Sequence, residues 1–378
     1  MIYLDHNATT PLDARVRAAM EPYLGGPYAN ASSQHRFGRA ARDAVETARG
    51  QVAALVGAQP GEVVFTSGGT EANNLALKGL ASWRAGRLLY SAIEHPCVVE
   101  PMQALGGSGR VVEAIAVDGE GRVDPRRFER QLRSSAVGIA SCMLANNETG
   151  VIQDVAALAA AAHGAGAAFH ADAVQAAGKI PVDFAALGVQ CLSLSSHKLY
   201  GPKGAGALIV ESGTQIEPLL HGGGQERGLR GGTENVAALA GFGVAAELAA
   251  AELAARAAHG GRLRDRLERA LDGIAGVRFF GRGAPRVANT SQFAIPPLHS
   301  ATLLGLLDKK GFAVSSGSAC ASGSDEPSPV LLAMGVPPEI ALCAIRVSVG
   351  KDNTDADVDG FVAALQAVLR ETLPARTA

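Results

Sequence analysis

Short apolar runs alternate with helical stretches through the first two thirds of the sequence, and this alternation restricts the fold more than any other feature. The apolar runs, which we interpret as buried strands, are residues 63–65, 88–90, 111–112, 137–140, 167–169, 191–194 and 207–210. Helical patterns between them include residues 40–56, 71–81, 125–133 and 155–165. This order predicts an α/β fold with a mostly parallel, seven-stranded central sheet covered by helices.

The alternation stops near Asn235, where a long helical pattern covers residues 236–274 and is interrupted by glycines at 241, 243, 260 and 261. A chain of 378 residues is also longer than one hydrophobic core usually organises. We therefore predict two domains. The large domain is residues 16–250, and a smaller α+β domain comprises residues 1–15 and 251–378, with a Gly/Ser-rich loop at 315–329.

Charge and cysteine content exclude several classes of function. The formal net charge is −2, so no general field attracts nucleic acid or a membrane surface. The five cysteines form no C-x-x-C pair, which argues against a disulfide framework or a zinc ribbon. The first residues lack the basic and apolar regions of a signal peptide. We therefore expect a cytoplasmic protein that binds neither nucleic acid nor membrane.

Ligands of open α/β sheets bind at the carboxyl ends of the strands, and Lys198 directly follows the apolar run 191–194 in the stretch SLSSHKLYGPKG. Most lysines are solvated surface groups, and position alone does not exclude that interpretation here. A desolvated lysine, however, has a lowered pKa and forms a Schiff base with an aldehyde cofactor. Lys198 is therefore a candidate catalytic amine.

Two further features agree with such a cofactor. Asp172 ends another strand and would be either a helix N-cap or the carboxylate that keeps a pyridine nitrogen protonated. Gly68 and Gly69 lead from a strand into a helix, whose first backbone N–H groups can bind phosphate. Each feature is weak alone, but an amine, an acid and a phosphate site together match the three attachment points that pyridoxal phosphate needs.

Nine stretches then carry a resemblance to a known family. They are YLDHNATTP (3–11), NASSQH (30–35), FTSGGTEANN (65–74), EHPCV (94–98), NNETG (146–150), HADAVQ (170–175), SLSSHKLYGPKG (193–204), GGGQERGLRGGTEN (222–235) and SSGSACASG (315–323). In this order they resemble the class I cysteine desulfurases of nitrogen fixation and iron–sulfur cluster assembly, pyridoxal-phosphate enzymes of fold type I. The resemblance implies that fold, that cofactor and a homodimer.

The resemblance also implies roles for individual residues at the cofactor. Lys198 would carry the pyridoxal 5'-phosphate, and Asp172 would hold its ring nitrogen. His95 would stack on the ring and assist proton transfer, although without its motif a surface or core histidine is the more common interpretation. The remaining contacts would be Gln175 to the ring hydroxyl, Gly69, Thr70, Ser195 and His197 to the phosphate, and Thr233 to the phosphate of the other subunit.

Asn147 and Arg346 would bind the substrate carboxylate, although a surface ion pair is the simpler interpretation of Arg346. Cys320 lies in a Gly/Ser segment with few apolar neighbours. We expect it to be exposed, and the resemblance makes it the thiol that accepts sulfur. It is also the candidate for a transient iron–sulfur cluster ligand. Cys97, Cys142, Cys191 and Cys343 have surroundings typical of small buried hydrophobic residues.

The activity that follows is a cysteine desulfurase. L-cysteine would give L-alanine and a persulfide on Cys320, and an acceptor or iron–sulfur scaffold protein would take the sulfur. One alternative is another pyridoxal-phosphate enzyme of the same fold, such as a selenocysteine lyase, a β-lyase or an aminotransferase, which needs no mobile thiol. Another is a non-catalytic sulfur-trafficking subunit, which would bind no cofactor.

Overall fold

The structure, a computed structural model, describes residues 1–26, 28–317 and 326–372. Its strands are β1 (Ile2–Tyr3), β2 (Val63–Thr66), β3 (Arg87–Ser91), β4 (Val112–Ile115), β5 (Val137–Ser141), β6 (Ala168–Asp172), β7 (Cys191–Ser195), β8 (Gly206–Val210), β9 (Arg278–Phe280), β10 (Thr290–Ala294), β11 (Phe312–Ala313) and β12 (Ala344–Ser348). Its helices are α1 (Ala14–Leu24), α2 (Arg36–Leu55), α3 (Gly69–Ala81), α4 (Pro96–Gly107), α5 (Pro125–Ser134), α6 (Val155–Gly164), α7 (Phe184–Leu187), α8 (Val236–Ala251), α9 (Leu253–Leu271), α10 (Ser300–Lys309), α11 (Pro329–Ala333), α12 (Pro338–Ala341) and α13 (Asp355–Thr372).

The main sheet has the strand order β2-β8-β7-β6-β5-β3-β4. Strand β8 runs antiparallel to both of its neighbours, and the other pairs are parallel. The seven strands coincide with the seven apolar runs of the sequence, so the prediction of a mostly parallel seven-stranded sheet is confirmed. Strands β5 to β8 are buried on both faces, which explains why β5 and β8 are nearly continuous apolar runs rather than alternating ones.

The long helical pattern after Asn235 forms two helices, α8 and α9, that meet at Glu252 with a bend of 71°. The expected breaks at glycines 241, 243, 260 and 261 are wrong, because the helices continue through all four. Gly241 and Gly243 instead allow close packing, since a Cβ on either would lie 2.7 Å from Met20 Cγ or 2.3 Å from Gln51 Oε1. Among the described helices, none alone is long and apolar enough to cross a membrane, and α8 with α9 meets that test only as a bent pair.

A second sheet, with the order β12-β10-β9, lies in the last third of the chain. Its apolar face packs with α9, α10 and α13 in a cluster that includes Leu263, Phe293, Leu307 and Phe361. Strand β1 pairs with β11, so the start of the chain joins this region. The division into a large domain of residues 16–250 and a smaller unit of residues 1–15 and 251–378 stays a prediction.

Candidate active site

A cavity of about 530 Å³ opens where the carboxyl ends of β5, β6 and β7 meet. Such a volume is typical of small-molecule and cofactor sites. Its wall includes ten of the twelve site residues expected from the sequence: Gly69, Thr70, His95, Asn147, Asp172, Gln175, Ser195, His197, Lys198 and Arg346. The fold therefore brings together residues that are up to 277 positions apart in the chain.

Lys198 and Asp172 follow from adjacent parallel strands. Asp172 is the last residue of β6, and Lys198 lies in the short 3₁₀ turn Ser196–Lys198 that directly follows β7. The Lys198 ammonium donates to the main-chain oxygens of Asn7, at 2.5 Å, and Ala8, at 2.7 Å. Both oxygens come from the N-terminal YLDHNATTP stretch, which explains why that stretch accompanies the lysine motif.

The Asp172 carboxylate is buried and held from two sides. Oδ1 accepts from the backbone N–H of Val174 at 2.9 Å, and Oδ2 accepts from Asn73 Nδ2 at 2.7 Å. No helix begins after Asp172, so the alternative of a helix N-cap is wrong. The side chain faces the cavity, as a partner for a pyridine nitrogen must.

The start of α3 lies at the cavity, where the sequence predicts a phosphate subsite. Gly69 is its first residue, and a Cβ there would lie 2.8 Å from Val174 Cγ2, so only glycine fits without a shift. Ser195 Oγ is buried and has no hydrogen-bond partner among the described residues. Burial and the nearby positive charge of Lys198 lower the pKa of His197 to about 4, so its imidazole is neutral. Together with the amine and the acid, an orphaned hydroxyl beside a helix N-terminus fits pyridoxal phosphate.

Arg346, on β12, is the largest fully buried side chain, with 1% of its surface exposed. Nη1 donates to the main-chain oxygens of Asn147 and Gly317, both at 2.9 Å, and Nη2 donates to Asp5 Oδ1 at 2.6 Å. The Nε–H is buried and has no acceptor among the described residues. The alternative of a surface ion pair for Arg346 is therefore wrong, because the guanidinium is a buried part of the cavity wall.

Cys97 corrects a prediction. The sequence suggested a small buried hydrophobic residue, but Cys97 lines the cavity, and its Sγ lies 2.8 Å from His95 Nδ1. The cause is helix α4, which sequence patterns did not predict. His95 is the N-cap of α4, so the first turn of the helix folds Cys97 back towards the histidine ring. The EHPCV sequence contained a signal for this, namely a proline at the first helical position.

Glu94 is another residue of the site that sequence patterns do not single out. Its Oε1 accepts from the backbone N–H of Met143 at 2.7 Å and from Ser91 Oγ at 3.0 Å, whereas Oε2 is buried without a partner among the described residues. Burial, reinforced by the negative charge of Asp172, raises the pKa of Glu94 to about 8. The side chain is therefore mostly a neutral carboxylic acid at pH 7.

This protonation makes the stability of the protein depend on pH. The folded chain holds the Glu94 proton up to about pH 8, whereas the unfolded chain releases it near 4.5. The free energy of unfolding should therefore fall as pH rises between these values, by on the order of 1 kcal/mol per pH unit. Glu94→Gln should abolish this part of the slope. Urea denaturation at pH 5 and pH 8 measures it, with the exposed Glu129→Gln as the control; equal slopes in all three proteins would contradict the prediction.

Thr233 does not line the cavity of its own chain and is exposed. The segment 222–233, which contains Thr233, is anchored to the large sheet region through Glu226. The buried Glu226 carboxylate accepts from Arg49 Nη1 at 2.7 Å, Arg49 Nη2 at 2.8 Å and the Phe65 backbone N–H at 2.8 Å. Glu226 adopts a left-handed φ of 46°, which a non-glycine residue keeps only where its surroundings hold it. The segment thus presents Thr233 outward.

Cys320 lies outside the described residues, so the expectations that it is exposed, accepts sulfur or ligates a cluster stay predictions. Within the described ranges, no group of three or more histidine, cysteine, aspartate or glutamate side chains is placed to hold a metal ion.

Comparison with known proteins identifies the family. The family model for class-V aminotransferases matches residues 2–361. The chain belongs to the class-V aminotransferase family. It is 46% identical to a cysteine desulfurase of Gluconacetobacter diazotrophicus over 381 residues, which covers 99% of this chain and 95% of that protein.

Solved structures in this class-V family agree. The fold matches a NifS-like protein from Rickettsia africae with a TM-score of 0.90 at 36% identity, covering 97% of this chain and 99% of that one. It also matches SspA in complex with cysteine, with a TM-score of 0.83 at 31% identity, covering 94% and 100%. The predictions of fold type, of a cysteine desulfurase enzyme and of pyridoxal 5'-phosphate as its cofactor are confirmed.

Proposed function

We propose that this cavity removes sulfur from L-cysteine and that Lys198, Asp172, His95, Arg346 and Cys320 carry the reaction. The observation that supports the proposal most is the position of a lysine, a buried carboxylate and a buried guanidinium on the wall of one 530 Å³ cavity. These three groups are what an amino acid bound to pyridoxal phosphate requires: an amine, a partner for the ring nitrogen, and a carboxylate receptor.

The cofactor, when bound, supplies an electron-withdrawing ring that stabilises negative charge at the substrate Cα. Asp172 keeps the ring nitrogen protonated, and Asn73 and the Val174 N–H keep Asp172 oriented. Gln175 binds the ring hydroxyl, and Gly69, Thr70, Ser195 and His197 bind the phosphate. Lys198 removes and returns the proton at Cα, and the oxygens of Asn7 and Ala8 hold its ammonium in place.

The substrate carboxylate binds Arg346 and Asn147. The unpartnered Nε–H of Arg346 offers a donor, and the side chain is fixed by three acceptors before the substrate arrives. A receptor that is already ordered loses little conformational entropy on binding. Arg346 therefore orients the amino acid so that its Cα and its sulfur face the reacting groups.

The proposal that Cys320 acts in this cavity is supported by the described residues that flank it in the sequence. Gly317, whose carbonyl accepts from Arg346, is three residues before Cys320. Three residues of extended chain span about 10 Å. On the other side, Ser328 donates to the buried Glu148 at 2.6 Å, and Pro329 and Val330 line the cavity. Both neighbours of the Cys320 segment are thus attached to the cavity wall.

The reaction that follows is balanced without a further reagent. The Cys320 thiolate attacks the substrate sulfur, an S–S bond forms as the substrate Cβ–S bond breaks, and the electron pair of that bond takes up a proton at carbon. L-cysteine and one protein thiol become L-alanine and one protein persulfide. A thiol of an acceptor or iron–sulfur scaffold protein then takes the terminal sulfur.

We propose that the protein works as a homodimer in which Thr233 binds the cofactor phosphate of the partner subunit. The exposed Leu219 and Leu220 precede the segment that presents Thr233, and Leu220 O accepts from the Gly231 N–H at 2.9 Å. Sedimentation should show a dimer. Thr233→Ala should weaken cofactor binding about tenfold through the loss of one hydrogen bond to phosphate. Sedimentation as a monomer with full cofactor affinity would contradict the proposal.

A reducing cytoplasm is the compartment that we propose. The described cysteines, Cys97, Cys142, Cys191 and Cys343, are free thiols, and a persulfide carrier also needs reduced acceptor thiols.

The test of the function combines a trap with a product assay. Borohydride reduction of the loaded protein should leave one adduct, and peptide mapping should find it on Lys198. L-cysteine should yield equal amounts of L-alanine and acceptor-bound sulfur. An adduct at another lysine would overturn the site assignment, and cysteine consumption without L-alanine would overturn the reaction.

A further inference from the structure

His95 and Cys97 form a pair whose donor and acceptor roles can be assigned. Two groups approach His95 Nδ1: the backbone N–H of Cys97 at 3.1 Å and Cys97 Sγ at 2.8 Å. A backbone N–H only donates, so Nδ1 is an acceptor and carries no proton. In a neutral imidazole the ring proton then lies on Nε2.

The direction of the remaining hydrogen bonds follows from this assignment. Because Nδ1 accepts, the contact between Sγ and Nδ1 requires a protonated thiol that donates. The other acceptor near this proton is Asp172 Oδ2, but it lies 4.0 Å from Sγ, whereas Nδ1 lies 2.8 Å from it. Sγ in turn accepts from Asn73 Nδ2 at 3.0 Å, and the same amide nitrogen donates to Asp172 Oδ2 at 2.7 Å. A continuous chain of bonds thus joins Asp172 through Asn73 and Cys97 to His95.

The electrostatics of the pair agree with this geometry. Burial and the negative charge of Asp172 raise the pKa of the Cys97 thiol, which keeps its proton at neutral pH. Burial and the positive charge of Lys198 lower the pKa of His95, although Asp172 raises it. Asp172, Lys198 and Cys97 are titratable groups that act on this ring.

We propose that Cys97 is a positioning residue that holds His95 as the neutral Nε2–H tautomer. His95 then meets the bound molecule as a hydrogen-bond donor, and Lys198 is left as the group that removes protons. The inference rests on the proposed function only in that it assigns which form of His95 takes part in it. The competing arrangement is a Cys97 thiolate beside a His95 imidazolium, which would make Cys97 a second sulfur-accepting nucleophile.

The first test reads the tautomer directly. The ¹⁵N spectrum of the histidine-labelled full-length protein, with and without cofactor, should show for His95 one unprotonated nitrogen, Nδ1, and one protonated nitrogen, Nε2. Subtraction of the His95→Gln spectrum assigns the signals. Two protonated ring nitrogens at pH 7, or a proton on Nδ1, would overturn the proposal.

The second test removes only the thiol donor. Cys97→Ala should raise the pKa of His95 by roughly 0.5–1 pH unit in the same spectra, because protonation of Nδ1 no longer displaces an S–H donor. Cys97→Ser should restore the wild-type value, and Cys343→Ala, which removes a buried thiol that does not line the cavity, should leave it unchanged. An unchanged pKa in Cys97→Ala would show that Cys97 is merely structural.

The third test separates the competing arrangement. In a Cys320→Ser background at pH 7, iodoacetamide should modify Cys97 no faster than an ordinary protonated thiol. Rapid alkylation of Cys97 would reveal a thiolate and overturn the proposal. None of these three measurements depends on turnover, so their failure is distinct from a failure of the desulfurase reaction.

Discussion

Cys320→Ser should lower the formation of L-alanine from L-cysteine by on the order of 10³-fold or more. A serine hydroxyl has nearly the same size as the thiol, but it is not ionised near pH 7 and is a poor nucleophile towards sulfur. The variant should keep the yellow absorbance of the bound cofactor, because the ten cavity residues that would hold cofactor and substrate are unchanged. Stopped-flow spectra should still show that L-cysteine binds.

The matched control is Cys343→Ser. Cys343 is a free thiol whose Sγ donates to the Glu339 main-chain oxygen, and it is buried in an apolar cluster without lining the cavity itself. This variant should form L-alanine at the wild-type rate. If Cys320→Ser also retained that rate, the sulfur would leave the substrate without this thiol. The rival interpretation as a selenocysteine lyase, which also forms L-alanine, would then be favoured.

The central sheet was predictable because most of its strands are buried and rich in apolar residues. Asp172 and Lys198 lie just beyond two of the apolar runs, so the sequence placed both at the same edge of the sheet. The expected break of α8 at Gly241 failed for a physical reason. Gly241 allows a close contact between α8 and Met20, and this packing offsets the low helix propensity of glycine.

The chemistry of single side chains was less accessible to sequence reasoning. The sequence around Glu94 does not distinguish an ionised surface carboxylate from a neutral buried carboxylic acid. The pKa of Glu94 depends on burial and on Asp172, which is 78 positions away. Sequence patterns predict a core thiol at Cys97 because they do not indicate α4. Only the first turn of that helix brings Cys97 Sγ to His95. Contacts between segments that are distant in the sequence determine both the pKa of Glu94 and the position of the Cys97 thiol.

Arg346 also contacts segments that are distant from it in the sequence, and Arg346→Ala should have two separable effects. The half-buried Asp5 carboxylate and the main-chain oxygens of Asn147 and Gly317 would lose their donor. Breaking a buried charge pair in this way costs about 3–5 kcal/mol of unfolding free energy. If Arg346 also binds the substrate carboxylate, kcat/KM for L-cysteine should fall by a further 10²–10³-fold, on the order of two lost charge-assisted hydrogen bonds.

Arg286→Ala separates the two effects. Arg286 forms a similarly buried pair with Glu268, at 2.8 and 3.1 Å, and does not line the cavity. Its loss should destabilise the protein to a similar extent in urea but leave KM for L-cysteine unchanged. Arg346→Lys should recover part of the stability but not the two parallel hydrogen bonds to the substrate carboxylate, because an ammonium group lacks the planar fork of a guanidinium. If Arg346→Ala and Arg286→Ala changed kcat/KM equally, Arg346 would be a structural residue, and the carboxylate of the substrate would have to bind elsewhere in the cavity.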